Sequence, residues 1–237
     1  MLLSDSKIPL YIQIKDYLKG EILNGKYKAG QKIPTEPDIG KLFDVSRVTV
    51  RKAIDELVSE GYLVKKQGKG TFVNHKRVQR KMSFVKSFSQ SCLDIGLIPS
   101  SIVEKIEVIN PSEEIAKKLN ITIQDKVIYI QRKRFADDVA IFLENNYFDY
   151  SRYSFLLEED LNRSLYEIFE EHEIYAKKRA PGASLEIVTA DHYLSQKMDV
   201  SLGTPFFFLN VCIQEDNSSP IHVGHQYYLG EYYKFDM

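Results

Sequence analysis

The chain has 237 residues, 43% hydrophobic and 27% charged, with two cysteines and a net charge of −1. That length suits one or two domains with their own core, and no apolar run of about 18 residues offers a transmembrane helix. The near-zero total hides a split: residues 1–81 carry 17 Lys and Arg against nine Asp and Glu, a net of +8, and the remainder carries a net of −9. A basic head suits a polyanionic partner; the acidic remainder argues against a nucleic-acid or membrane-surface role for itself. Met1–Asp5 lack the charged start and apolar core of a signal peptide. Cys92 and Cys212 lie far apart, outside any metal-type spacing, and read as inert thiols in a reducing, cytoplasmic setting.

In chain order, Tyr11, Ile14, Leu18 and Ile22 form the apolar stripe of a first helix. Thr35 with Asp38 three residues on is a capping-box pattern for a short second helix. Phe43-Asp44-Val45 is a tight connection, and Ser46 is a good N-cap for a third helix. There Val50, Ile54 and Leu57 repeat at core-facing spacing, while Arg47 and Arg51 share the other face. Arg47 falls in the first turn, the part of a recognition helix that meets base edges. Gly61 sits where a helix should stop in the left-handed conformation. Tyr62–Lys66 and Thr71–Val73 are short β-type runs around Gln67-Gly68-Lys69-Gly70. The result is a ribbon whose tip, a cation between glycines, can approach a phosphate backbone closely. These parts, in this order, predict a DNA-reading module. Thr35, Ser46, Arg47, Thr49, Arg51, Gly68, Lys69 and Gly70 are its candidate contacts to double-stranded DNA. The alternative is the same fold used for protein contacts.

With Pro9-Leu10-Tyr11-Ile12-Gln13-Ile14, Ile22, Gly25 and Gly30 upstream, these blocks resemble the GntR family of bacterial winged helix-turn-helix regulators, in its HutC branch. Pro37 departs from the Arg common after Pro-Ser/Thr-Glu in that family. The resemblance implies a DNA-binding domain over residues 1–75 and a homodimer, because a two-fold operator is read by two recognition helices.

His75–Lys81 is charged and aperiodic, and residues 76–82 are expected to be a linker that also touches phosphates. Beyond it Ile102–Val108 is strand-like. Asn110-Pro111-Ser112-Glu113-Glu114 starts a helix with Pro near the first helical position, Ile115 and Leu119 forming its apolar face. Val127–Phe135 and Val139–Phe148 suggest a hairpin around Asp137-Asp138. Leu165–Glu171 reads as a helix, Ser184–Val188 as a strand, and Thr189-Ala190-Asp191 as the cap of a helix through Met198. Pro205–Gln214 and Ile221–Leu229 are two more strands. The whole is an α+β protein: the head, then a mixed domain over residues 83–237 with a mainly antiparallel sheet.

Arg132 and Arg134 share one strand face with Ile128 and Ile130, and cations on such a face need an anion. An odd hairpin loop pairs Arg132 with Glu144 and Arg134 with Phe142; a two-residue loop turns Glu144 to the opposite face. A cross-strand ion pair without any ligand is the structural reading of these residues. His222 and His225, three apart on a strand, point to opposite faces and cannot chelate one metal. No activated nucleophile and no phosphate loop of strand–loop–helix type is seen, so neither cofactor nor metal is expected. Tyr227, Tyr228, Tyr232 and Tyr233 suit core or dimer packing as well as a ligand wall.

Residues from about 83 to 236 are similar to the UTRA effector-binding domain. The matching blocks are Ser87-Phe88-Ser89, Gly96–Pro99, Arg132-x-Arg134, Glu144, Ser164-Leu165-Tyr166 and Tyr228–Phe235. The resemblance implies a pocket for a small anionic metabolite such as a sugar phosphate. Ser87, Phe88, Ser89, Arg132, Arg134 and Ser164 would take its anionic end. Glu144, Tyr166 and Tyr228 would take its hydroxyl-bearing end. His222 stands where sugar-phosphate-binding members often carry Glu. The expected protein is a ligand-responsive repressor of a carbohydrate operon. A constitutive DNA-binding protein with a dimerising second domain, or an enzyme with a DNA-binding head, are the other readings.

Overall fold

Residues 8–74 and 77–236 are described by a computed structural model, in which the chain divides into two units, Met1–Lys76 and Arg77–Met237. Met1–Asp5, and His75 and Lys76 of the expected linker, lie outside the described residues.

The described residues of the first unit form helices α1 (Leu10–Leu23), α2 (Glu36–Phe43) and α3 (Arg47–Ser59) and a ribbon of β1 (Leu63–Lys66) and β2 (Gly70–Val73). Thr35 closes the capping box: it accepts from the Asp38 N–H, and its own N–H donates to the Asp38 carboxylate at 3.2 Å. Asp44 turns the chain in the left-handed region, φ 52°, so α3 starts three residues later, at Arg47. Gly40 permits the tight turn, since a Cβ there would lie 3.1 Å from the Val45 carbonyl oxygen. Ser46 caps α3 through the Thr49 N–H, a contact worth about 1 kcal/mol. Ile14, Leu18, Ile39, Val50, Ala53, Ile54 and Leu57 are buried as one core under the ribbon residues Leu63 and Val73.

The second unit runs β3 (Val78–Lys81), α4 (Phe88–Leu93), β4 (Pro99–Ile109), α5 (Glu113–Leu119), β5 (Val127–Ala136), β6 (Val139–Asp149), α6 (Tyr150–Tyr153), α7 (Leu165–Glu171), β7 (Lys178–Arg179), β8 (Ser184–Thr189), α8 (His192–Met198), β9 (Pro205–Gln214), β10 (Pro220–Leu229) and β11 (Tyr233–Asp236). Its seven-stranded antiparallel sheet has the order β4-β5-β6-β10-β9-β7, with β8 also paired to β9. Ser112 caps α5, so Pro111, expected near the first helical position, lies one residue before the cap.

Two departures from the sequence reading matter. Residues 78–81, expected within a linker, form a strand paired in parallel with β11, Val78 opposite Tyr233 and both buried. One apolar residue among charges hides such a strand when its partner lies at the far end of the chain. The β5–β6 hairpin is subtler. Its loop is two residues, Asp137 and Asp138, both at positive φ as a tight hairpin turn requires. The pairs Ala136↔Val139 and Phe135↔Ala140 follow from that loop, yet the register then shifts to Arg134↔Phe142 and Arg132↔Glu144. Ile141 is the extra residue of a β-bulge, which reverses the side-chain alternation and restores Glu144 to the arginine face.

Candidate DNA-reading surface and ligand cavity

On the head, Arg47 and Arg51 project from α3 and both donate to Glu36 Oε2, at 3.1 and 3.3 Å. Lys65 on the ribbon lies 3.9 Å from the other oxygen of Glu36 and 2.6 Å from Asp55. Burial would raise the Glu36 carboxyl, but bonds to Arg47 and Arg51 outweigh it and hold the pKa below the ordinary range. Glu36 therefore fixes the fan of cations on the exposed helix face, a role the sequence reading gave it no part in. The Thr35 and Ser46 hydroxyls are committed to the caps, and Ser46 Oγ also meets Thr49 Oγ1 at 2.8 Å. Lys69 is exposed at the ribbon tip, between Gly68 and Gly70, both at positive φ.

In the second unit the face that carries Arg132 and Arg134 on β5 continues through Phe142, Glu144 and Asn146 on β6 to His222, Gln226 and Tyr228 on β10. Ser87 and Phe88 at the start of α4, and Ser164 and Tyr166 at the start of α7, cover it. Together they enclose a cavity with free space of about 30 Å³, room for one or two waters. Ser89 does not line it but accepts from Arg134 Nη2 at 3.1 Å. Ser164 precedes α7 without capping it through its side chain. Phe142 and Tyr228 stack at 4.3 Å, and the Arg134 guanidinium lies 4.5 Å over Phe88. Arg80, Lys86, Asn146 and Gln226 also line the cavity. Asn146 shares the alternation of Glu144, and Gln226 that of His222 and Tyr228, so both were readable from it; Arg80 and Lys86 were not, being on the supposed linker and beyond. Arg80, on the strand rather than a linker, donates to the Lys86 carbonyl at 3.1 Å.

The expected separation of an arginine end from a Glu144 end is corrected by the geometry. Glu144 Oε1 bonds both Arg132 Nη2 and Arg134 Nη1, the latter at 3.1 Å. All three residues are at most 5% exposed. Burial pushes the Glu144 carboxyl up, but the two guanidinium charges outweigh it and hold it at about 2. Arg132 also donates to the Leu161 and Arg163 carbonyls at 2.9 and 2.8 Å. The Nε atoms of Arg132 and Arg134, Asn146 Oδ1 and His222 Nδ1 are buried without a hydrogen-bond partner among the described residues. Buried polar atoms are normally satisfied, so four such atoms around one cavity mark a place built for a polar guest.

His222 is 2% exposed beside Phe148, whereas His225 sits on the opposite sheet face against Tyr147 and Phe208. No three His, Cys, Asp or Glu among the described residues could hold a metal. Cys92 and Cys212 are buried and free, and burial pushes their thiols up to about 12 and 11. Burial holds His222 at about 4, so it is neutral in the fold. Its folded pKa is below its unfolded one; the unfolded chain therefore binds the extra proton as pH falls from about 6.5 to 4. Stability is expected to drop by up to about 3 kcal/mol across that window, with His225 adding in the same direction. Urea unfolding between pH 4 and 7 checks it: His222→Gln should flatten the slope, and an unchanged slope would exclude His222 as its source.

A basic helix-and-ribbon head followed in one chain by a sheet domain with a closed polar cavity is the layout of a transcriptional regulator. The model for bacterial regulatory proteins of the gntR family matches residues 10–73, and that for the UTRA domain matches residues 94–234. The chain belongs to the GntR family of bacterial transcriptional regulators and carries a UTRA domain, an architecture consistent with the HutC subfamily. It is 30% identical to the uncharacterized HTH-type transcriptional regulator YurK of Bacillus subtilis (strain 168) over 230 residues, covering 94% of this chain and 92% of that protein. It is also 30% identical over 219 residues to the probable fructoselysine utilization operon transcriptional repressor of Escherichia coli (strain K12), covering 91% of this chain and 88% of that one. The fold matches the crystal structure of PhnF from Mycobacterium smegmatis with a TM-score of 0.74 at 23% identity, over 94% of this chain and 97% of that one. The family and these relatives are transcriptional regulators, not enzymes. No helix among the described residues is long and apolar enough to cross a membrane.

Proposed function

We propose that this protein is a ligand-responsive repressor of a carbohydrate uptake or catabolism operon. It binds a palindromic operator as a dimer and is controlled by a small anionic metabolite, such as a sugar phosphate, in the cavity of the second unit. The observation that carries the reading is the buried Arg132–Glu144–Arg134 cluster. It holds two cations against one carboxylate and is ringed by unpartnered polar atoms. The name of the fructoselysine repressor supports a sugar-derived effector. Ser87, Phe88, Ser89, Ser164, Tyr166, His222 and Tyr228 complete the proposed site, and Thr35, Ser46, Arg47, Thr49, Arg51, Gly68, Lys69 and Gly70 the operator surface.

The free space of about 30 Å³ is far smaller than a sugar phosphate, so binding has to open the cavity. That difference in affinity between closed and open forms is what lets a ligand shift an equilibrium at all. The test is fluorescence anisotropy on labelled DNA from upstream of the protein's own gene, at fixed salt, with and without a panel of sugar phosphates. Arg134→Ala should leave operator affinity within about twofold and raise the effector concentration needed for half response at least about tenfold, the loss of one charge-assisted contact. Normal response in that variant would end the assignment. One observation favours a second reading. Glu144 already neutralises part of the cluster, as a structural ion network would in a domain that only dimerises. In that case no compound changes operator binding.

A further inference from the structure

A second opening, of about 310 Å³, lies beside the closed cavity and shares Arg80 and Lys86 with it. Lys81 and Arg179 add two cations to its wall, and Asp94 is its one carboxylate. Asp94 is already paired with Lys86. Arg80, Lys81 and Arg179 thus have no carboxylate partner among the described residues. The arginines donate to neutral carbonyls instead: Arg80 to Lys86, and Arg179 Nη1 to Met82 and Phe84, both at 2.8 Å. Arg179 Nε is buried with no hydrogen-bond partner among the described residues. Burial, and then the charge of Arg80, depress the Arg179 pKa, and both guanidinium groups line the same cleft. Bracing the 82–86 segment needs donors, not three cations without an ion-pair partner among the described residues. Inside, by contrast, Glu144 offsets one of the two arginine charges.

We propose that this outer cleft is an anion subsite, taking a phosphate or carboxylate group of the effector that lies outside the closed cavity. The effector class is then a metabolite with two separated anionic groups, such as a sugar bisphosphate or a phosphorylated sugar acid. That identity rests on the effector reading above; anion binding in the cleft does not.

The test is calorimetric titration of the full chain with inorganic pyrophosphate at low ionic strength. Arg179→Met should weaken binding at least about tenfold, and Lys81→Ala about threefold, while Arg134→Ala leaves it within about twofold. Arg179 braces backbone, so Arg179→Lys, which keeps the charge, should retain intermediate affinity. Among the described residues the Lys81 side chain makes only a long cation–π contact, at 5.9 Å to Phe84, so its removal tests charge without disturbing that segment. Absence of saturable binding by the wild type overturns the subsite. So does binding lost in Arg134→Ala but not in Arg179→Met, which leaves the inner effector site standing. If Arg179→Met and Lys81→Ala weaken operator binding with no small anion present, the cleft contacts DNA and the proposal falls. Arg179-dependent pyrophosphate binding alongside sugar phosphates that never release the operator upholds the subsite and removes the effector reading.

Discussion

Glu144→Ala is expected to destabilise the second unit by about 3–5 kcal/mol, because removing one member of a buried ion cluster strands the others. Arg132 and Arg134 keep their bonds to Leu161, Arg163 and Ser89, but two like charges then face one another without a counter-ion. For a unit of this size the loss corresponds to a melting temperature roughly 6–20 °C lower. Glu144→Gln keeps the volume and one acceptor and should fall between the variant and the wild type. The cluster also predicts rescue. If the carboxylate occupies the seat of an anion, millimolar inorganic phosphate should stabilise Glu144→Ala more than the wild type, since any species that binds only the folded form adds stability by mass action. Thermal melts with and without phosphate decide this. A Glu144→Ala protein as stable as the wild type would show that the two arginines are satisfied without it.

The head was legible because its signals are local. A capping box, an N-cap serine, a glycine stop and a ribbon of glycines each act within a few residues, so Thr35, Ser46, Gly61 and Gly68 announce the elements they terminate. Glu36 escaped notice because its partners, Arg47, Arg51 and Lys65, become its neighbours only after α2, α3 and the ribbon have packed. In the second unit, the period-two alternation foretold which residues of β5, β6 and β10 share a face. It failed at the point where loop length and register disagree, since nothing in the residues of β6 marks Ile141 as a bulge. The strand of residues 78–81 failed for another reason: its stability comes from Val78 meeting Tyr233 across most of the chain, and a contact of that range leaves no local trace. With that strand misread, Arg80 was assigned to a linker and the outer cleft was invisible.

Arg47→Ala is expected to cost about 1–3 kcal/mol of operator affinity, roughly 5- to 150-fold, and to relax base preference at one position of each half-site. The side chain is 65% exposed and leaves the first turn of α3, where a recognition helix meets base edges. Its bond to Glu36 is a surface ion pair of at most about 1 kcal/mol, so the variant should fold normally and the loss should lie in recognition. Lys69→Ala serves as the contrast. A cation on a flexible ribbon tip fits a phosphate contact, which weakens binding on all sequences alike and lowers the salt dependence by about one counter-ion. Anisotropy on operator and scrambled DNA, at several salt concentrations, separates the two. Arg47→Ala should narrow the ratio between operator and scrambled DNA, whereas Lys69→Ala should shift both. If Arg47→Ala leaves that ratio intact, α3 does not read bases through its first turn, and specificity must come from the ribbon or from DNA shape.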